Sequence, residues 1–253
     1  YRGHREDRIT CFWYKTEANY LLYQKVKNCA DAVKYEELRQ CWDTINRPEY
    51  KHKKWGEQQE EALTKIDEGI SYGDEEAKRN SARTLYIAGA PGSGKTAVLI
   101  EGAVSAAKKG MRVLIVCPTG QLVHALKSQL PDIEGIENVE VNTIHGVLQY
   151  KRPGADGKVK WTPPSALRRI DLILIDEASQ YDDKEWVRLM QCILEQPQSP
   201  FTAASADFQQ LQPLSSGKVC KAQCESMPTE TLNTVYRTND EEHLMFLNRI
   251  REK

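Results

Sequence analysis

The sequence has no surplus of positive charge. Its 35 lysines and arginines face 36 aspartates and glutamates, for a formal net charge of −1, which excludes a protein that holds nucleic acid by bulk basicity; any such site has to be local. It contains no apolar run near the length of a membrane span and no signal-peptide pattern at the N-terminus, so a membrane partner is not expected. Closely paired cysteines are also missing. The seven cysteines, at 11, 29, 41, 117, 192, 220 and 224, are odd in number and form no CxxC pair, as expected for scattered thiols in an intracellular, reducing compartment. Cys11, Cys29, Cys41 and His52 are the set from which a zinc site would be drawn, but their long gaps offer none of the tight pairs that preorganise one. There is no internal repeat and no low-complexity tract.

What is present is a chain long enough, at 253 residues, for a substantial core. Leu22, Val26, Cys29, Val33, Leu38, Cys41 and Ile45 recur at helical spacing, so the N-terminal segment, residues 1–54, is predicted to be a helical accessory element. It ends in a polar connector over 46–54 that contains Pro48. From Arg83 onward, short apolar runs alternate with helical stretches. The runs Thr84–Ala88, Arg112–Val116, Asp171–Ile175 and, more weakly, Phe201–Ala204 predict buried parallel strands. Helices are predicted over Lys95–Lys108, Gln121–Leu130 and Lys184–Glu195. This alternation specifies an α/β fold, a parallel sheet flanked by helices, whose ligand sites lie at the carboxyl ends of the strands.

The chemistry-bearing motifs fall at those ends. Gly89-Ala90-Pro91-Gly92-Ser93-Gly94-Lys95-Thr96 matches the phosphate-loop pattern in full, between a predicted strand and a predicted helix. Its glycines allow backbone N–H groups to close around phosphate oxygens, and the helix that follows presents its positive end to them. Lys95 is then placed for the β- and γ-phosphates of ATP and the Thr96 hydroxyl for Mg²⁺. The apolar run from Asp171 delivers two carboxylates, Asp176 and Glu177, at its end. In such a site Asp176 holds Mg²⁺ and Glu177 orients or deprotonates the attacking water.

Beyond these, Asp176-Glu177-Ala178-Ser179-Gln180 resembles the second motif of superfamily 1 helicases, and Ala206-Asp207-Phe208-Gln209-Gln210-Leu211 resembles their third, with Ala206 where that family usually has glycine. The resemblance implies a RecA-like P-loop NTPase fold and makes Gln210 a sensor of the γ-phosphate or its attacking water. It implies that Gln59, upstream of the phosphate loop, belongs to the glutamine motif whose amide reads the adenine edge. Cys117-Pro118-Thr119-Gly120 and Thr143-Ile144-His145 look like motifs Ia and Ib of the RecD-like branch, which places Pro118, Thr119, Thr143 and His145 along the path of single-stranded DNA or RNA and implies 5′-to-3′ travel. Tyr236-Arg237 resembles the element in which the tyrosine stacks on adenine and the arginine meets the γ-phosphate.

The same resemblance divides the chain into the accessory segment 1–54, a first RecA-like motor domain over 55–228, and a linker with the start of a second motor domain over 229–253. After Arg237 only sixteen residues remain, without counterparts of helicase motifs V and VI, so a missing second RecA-like domain is expected in cis. The insertion from Tyr150 to Trp161 carries Lys151, Arg152, Lys158 and Lys160; it reads equally as a nucleic-acid contact or an exposed loop. The alternative function is an ATP-gated adaptor that binds a protein partner and unwinds nothing. A small-molecule kinase shares the phosphate loop but has no use for the Thr-Ile-His and Asp-x-x-Gln-Leu elements.

Overall fold

The computed structural model describes residues 53–71, 83–149, 169–196, 199–210, 213 and 215–236. The apolar stripe from Leu22 to Ile45, the set Cys11, Cys29, Cys41 and His52, the insertion at 150–161 and Arg237 lie outside the described residues. Among the described residues no helix is long and apolar enough to cross a membrane.

Strands β1 (Thr84–Gly89), β2 (Val113–Cys117), β3 (Val139–Thr143), β4 (Leu172–Ile175), β5 (Phe201–Ala206) and β6 (Thr229–Leu232) form one six-stranded sheet. Their order is β3-β2-β4-β5-β1-β6, and every neighbouring pair is parallel. Helices α1 (Glu57–Ser71), α2 (Lys95–Lys108), α3 (Gly120–Gln129), α4 (Ile144–Val147), α5 (Asp183–Leu194) and α6 (Lys218–Glu225) accompany it. The fold is that of a RecA-like P-loop NTPase.

The central strands are apolar throughout because both of their faces are covered. Every residue of β2, β4 and β5 is buried, as expected for parallel strands between two helical layers. Alternate residues serve the two layers. Leu85, Ile87, Val113, Ile115, Leu172 and Leu174 face a core shared with Ile66 of α1, Leu99 of α2 and Leu126 of α3. Tyr86, Leu114, Val116, Ile173 and Ile175 face a second core with Ile144 of α4, Trp186 and Leu189 of α5, and Cys220 of α6. The Trp186 indole N–H donates to the Gln223 side chain at 2.6 Å, tying α5 to α6.

Among the elements absent from the sequence expectations are the strands β3 and β6 and the helix α6, and each has a weak apolar signal. In β3 only Val141 is fully buried, and in β6 only Leu232, because both are edge strands. The buried residues of α6 are the cysteines Cys220 and Cys224. Thr229–Leu232, placed by sequence in the linker after 228, is hydrogen-bonded to β1 in register from Tyr86↔Thr229 to Gly89↔Leu232. The sheet therefore includes residues past 228, held by main-chain pairing rather than by side-chain hydrophobicity.

Parallel register brings the strand ends to one edge: Ala88 stands opposite Ala206, Val116 opposite Ile175, and Cys117 opposite Thr143. Helix starts gather there too. Asp182 and Glu185 form a reciprocal capping box at α5, with Glu185 N–H donating to Asp182 Oδ1 at 2.7 Å.

Leu174, fully buried in the middle of the sheet, tests this core. Leu174→Ala should destabilise the chain by about 2–5 kcal/mol, read as a lower urea midpoint at unchanged slope. A loss under about 0.5 kcal/mol, the range of ordinary surface substitutions, would contradict its central position.

Candidate active site

The loop from Gly89 to Gly94 leaves β1 and enters α2. Gly94 caps α2 in the left-handed region, at φ 90°, without any side-chain cap, so the first N–H groups of the helix are not claimed by a capping side chain. The positive φ favours glycine there, and a β-carbon at Gly94 would sit 2.3 Å from Gln59 Nε2, so any larger residue would also displace the Gln59 amide. Lys95 is buried, and its ammonium donates to the carbonyls of Gly89 at 2.8 Å and Ala90 at 3.2 Å. It thus curls back into the concavity of the loop. The buried Ser93 hydroxyl has no hydrogen-bond partner among the described residues. An orphaned buried hydroxyl is unfavourable unless a ligand supplies a partner. Together these features fit a bound phosphate.

Asp176 follows β4 and Thr96 opens the first turn of α2. The Thr96 hydroxyl donates to both Asp176 oxygens, at 3.2 Å to Oδ1 and 3.1 Å to Oδ2. Asp176 is buried, and burial pushes its carboxyl above the ordinary carboxylate range against the opposing pull of Ser205, Thr96, the Glu177 N–H and Lys95. A buried carboxylate beside a hydroxyl is a hard-oxygen donor pair in an electrostatic setting that a divalent cation compensates, and it fits Mg²⁺. Glu177 adopts the left-handed conformation, φ 51° and ψ 47°. A non-glycine residue held there is uncommon and concentrates at functional sites.

Two groups missing from the sequence expectations, Ser205 and Tyr181, complete this corner together with Asp207 of the third motif. Ser205 of β5 donates to Asp176 Oδ1 at 2.8 Å. Tyr181, fully buried, donates through its hydroxyl to the carbonyls of Val116 at 3.1 Å and Asp176 at 3.2 Å. Asp207 accepts from the Gln210 side-chain amide at 3.2 Å and from the Gln209 N–H at 3.1 Å. The apolar run expected from sequence, Phe201–Ala204, stops one residue short of Ser205.

Gln59 and Tyr236 approach the phosphate loop from outside the β1–α2 unit. Gln59, buried, donates to the Ser93 carbonyl at 3.0 Å and accepts from the Gly56 N–H at 3.1 Å. The Tyr236 N–H donates to the Gly92 carbonyl at 2.9 Å, while its side chain remains exposed. A cavity of about 530 Å³ adjoins the loop on the α6 side, bordered by Gly89, Ala90, Asp207 and Lys221.

Pro118, Thr119, Thr143 and His145 gather at the same edge of the sheet but at its β2–β3 end, with β4 and β5 between them and β1. The two threonine hydroxyls cap helices: Thr119 accepts from the Leu122 N–H at 3.3 Å and Thr143 from the Gly146 N–H at 3.0 Å. His145 is exposed, with Nε2 3.1 Å from Glu185 Oε1.

Residues 75–253 match the family model described as AAA domain. Among solved structures, the Pif1 helicase from Candida albicans superposes with a TM-score of 0.56 at 18% identity, covering 79% of this chain and 44% of that one. The chain thus spans less than half the length of that helicase. Domain III of the replication initiation protein DnaA from Thermotoga maritima gives a TM-score of 0.41 at 16% identity, over 78% of this chain and 69% of that one. AMPPCP-bound DnaA from Aquifex aeolicus gives 0.42 at 14%, over 79% and 53%. At these identities the Pif1 likeness speaks for the fold, and the two DnaA superpositions are too distant to add to it. No curated protein matches the sequence.

Because the Gln59 amide holds the loop at Ser93, Gln59→Ala should weaken ATP and GTP by the same factor, about fivefold for one lost buried hydrogen bond. Fluorescent-nucleotide titration checks this. A loss confined to ATP would mean that the amide reads the base.

Proposed function

Since the chain belongs to the AAA domain family, we propose that it is a superfamily 1 helicase motor that binds MgATP and hydrolyses it to move along single-stranded nucleic acid. The observation that carries this reading is the contact of Thr96 with Asp176, which unites the phosphate loop and the paired carboxylates in one constellation. A glycine-rich turn and an acidic strand end that met by chance would not be expected to share a hydroxyl hydrogen-bonded to both oxygens of a buried carboxylate.

The loop N–H groups and the Ser93 hydroxyl bind phosphate oxygens, and Lys95 exchanges its carbonyl partners for the β- and γ-phosphates. Thr96 and Asp176 are the residues that would hold magnesium, which when bound neutralises phosphate charge. Glu177 orients the attacking water and accepts its proton on the side-chain carboxylate. Gln210, its amide oriented by Asp207, senses the γ-phosphate. Gln59 and Tyr236 border the nucleotide, and Arg237, next in sequence, supplies a guanidinium to the γ-phosphate. The single strand runs past Pro118, Thr119, Thr143 and His145, the Thr-Ile-His element resembling that of the RecD-like branch. Stepping also requires a second strand-gripping domain whose separation from this one changes with nucleotide state.

Glu177→Gln should retain MgATP binding yet lower hydrolysis by about 10² or more, the usual contribution of a positioned base, whereas Lys95→Ala should lose hydrolysis and weaken binding. Parent-like turnover by Glu177→Gln in a phosphate-release assay would remove Glu177 from its role.

For the strand path, fluorescence anisotropy should show a single-stranded oligonucleotide losing affinity as salt rises. His145→Ala should weaken it roughly fivefold, as expected for one lost base contact of about 1 kcal/mol. Identical affinity of the variant at low salt would take His145 off the path.

A further inference from the structure

The last four residues of β5 are Ala203-Ala204-Ser205-Ala206, three small apolar residues and one hydroxyl, all buried. A hydroxyl in such a strand is unfavourable without a partner. Thr202, earlier in the same strand, illustrates the point: its buried hydroxyl has no hydrogen-bond partner among the described residues. Ser205 differs. Its Oγ donates to Asp176 Oδ1 at 2.8 Å and accepts from the Glu177 N–H at 3.4 Å. The same N–H also reaches Asp176 Oδ1 at 3.1 Å. One hydroxyl therefore closes a triangle with a carboxylate oxygen and the peptide that follows it.

The consequence lies in how the two oxygens of Asp176 are used. Oδ1 accepts from Ser205, from the Glu177 N–H and from Thr96. Oδ2 accepts from Thr96, at 3.1 Å. Anchoring Oδ1 fixes the plane of the carboxylate and turns Oδ2 toward Thr96, the other oxygen donor of the site. The bond to the Glu177 peptide acts on the residue that stands in the left-handed conformation. Without the hydroxyl, the carboxylate gains rotational freedom and the turn loses one of its restraints. Carboxylates that ligate metals are commonly oriented by such outer hydrogen bonds, and loss of the outer partner lowers metal affinity by about 10–100-fold.

We propose that Ser205 is a positioning residue for nucleotide hydrolysis: through its hydroxyl it orients the Asp176 carboxylate toward the magnesium site and holds the Glu177 turn. This rests on the assignment of Asp176 as a magnesium ligand. It goes beyond that assignment because Ser205 lies on a different strand and acts through Asp176 and the Glu177 peptide. It also makes the end of β5 a common support, since two residues later Asp207 orients Gln210.

The test is the binding of a fluorescent, non-hydrolysable ATP analogue, titrated with Mg²⁺ and repeated in EDTA. The proteins are the full chain and its Ser205→Ala and Ser205→Thr variants, each first checked by thermal unfolding in EDTA without nucleotide. Ser205→Ala should require about tenfold more Mg²⁺ to reach half of the enhancement, while its affinity in EDTA stays within about twofold of the parent. Ser205→Thr, which keeps the hydroxyl, should restore most of the Mg²⁺ response; Ser205→Cys, of similar shape but a weak donor, should fall between and replaces Ser205→Ala if that variant does not fold. Equal losses with and without Mg²⁺ would overturn the proposal, because a merely structural serine damages both. An unaltered Mg²⁺ response in Ser205→Ala overturns the role of Ser205 alone. A parent protein indifferent to Mg²⁺ overturns the Asp176 assignment and this inference together.

Discussion

The hydrogen bonds from Thr96 to Asp176 join two parts of the chain that sequence keeps far apart, the first turn of α2 and the end of β4. Everything else in the site is arranged around that contact. The order of the sheet explains why it needs support: β5 lies between the phosphate-loop strand β1 and the carboxylate strand β4. Asp176 must therefore reach past one strand to meet Thr96, and the intervening strand carries Ser205, which holds it from the side. Because the carboxylate is buried, its charge is poorly solvated, and the polar groups around it compensate incompletely. That residual imbalance is what a cation relieves.

The neighbourhood keeps features that a structure selected only for stability would lose. Glu177 occupies a strained backbone region, and Ser93 buries a hydroxyl that has no hydrogen-bond partner among the described residues. Each is unfavourable by an amount on the order of 1 kcal/mol or more. The sheet beneath can absorb this, since β2, β4 and β5 are buried on both faces and packed between two cores. Rigid strands and an unrelieved edge are complementary: the first makes the second tolerable.

The opposite end of the edge is organised differently. Thr119 and Thr143 each hold a helix start, and His145 is oriented by Glu185, which in turn belongs to the capping box of α5. Residues that sequence pattern assigns to a strand path are thus also structural caps, so the two roles are not exclusive. Capping fixes where the backbone turns, and a fixed backbone is what presents an exposed imidazole in one place. The Tyr236 N–H on Gly92 adds a link between the phosphate loop and the segment leaving β6, so movement of that segment is felt directly by the loop.

Sequence alone determined the parts whose physics is local. The phosphate loop is eight consecutive residues whose conformation follows from glycine and the strand and helix that flank it. The buried strands announced themselves through apolar runs, and Lys95–Lys108 proved helical over the bounds its pattern indicated. Tertiary structure decided what depends on register between distant segments. Edge strands β3 and β6 have little apolar signal because pairing with a neighbour, and not burial of their own side chains, keeps them in place. Thr229–Leu232 joins the sheet for that reason. Gln59 reaches Ser93 and Ser205 reaches Asp176 only once helix and sheet are packed, because a side chain's partner is set by three-dimensional proximity and a linear pattern specifies only its neighbours in the chain.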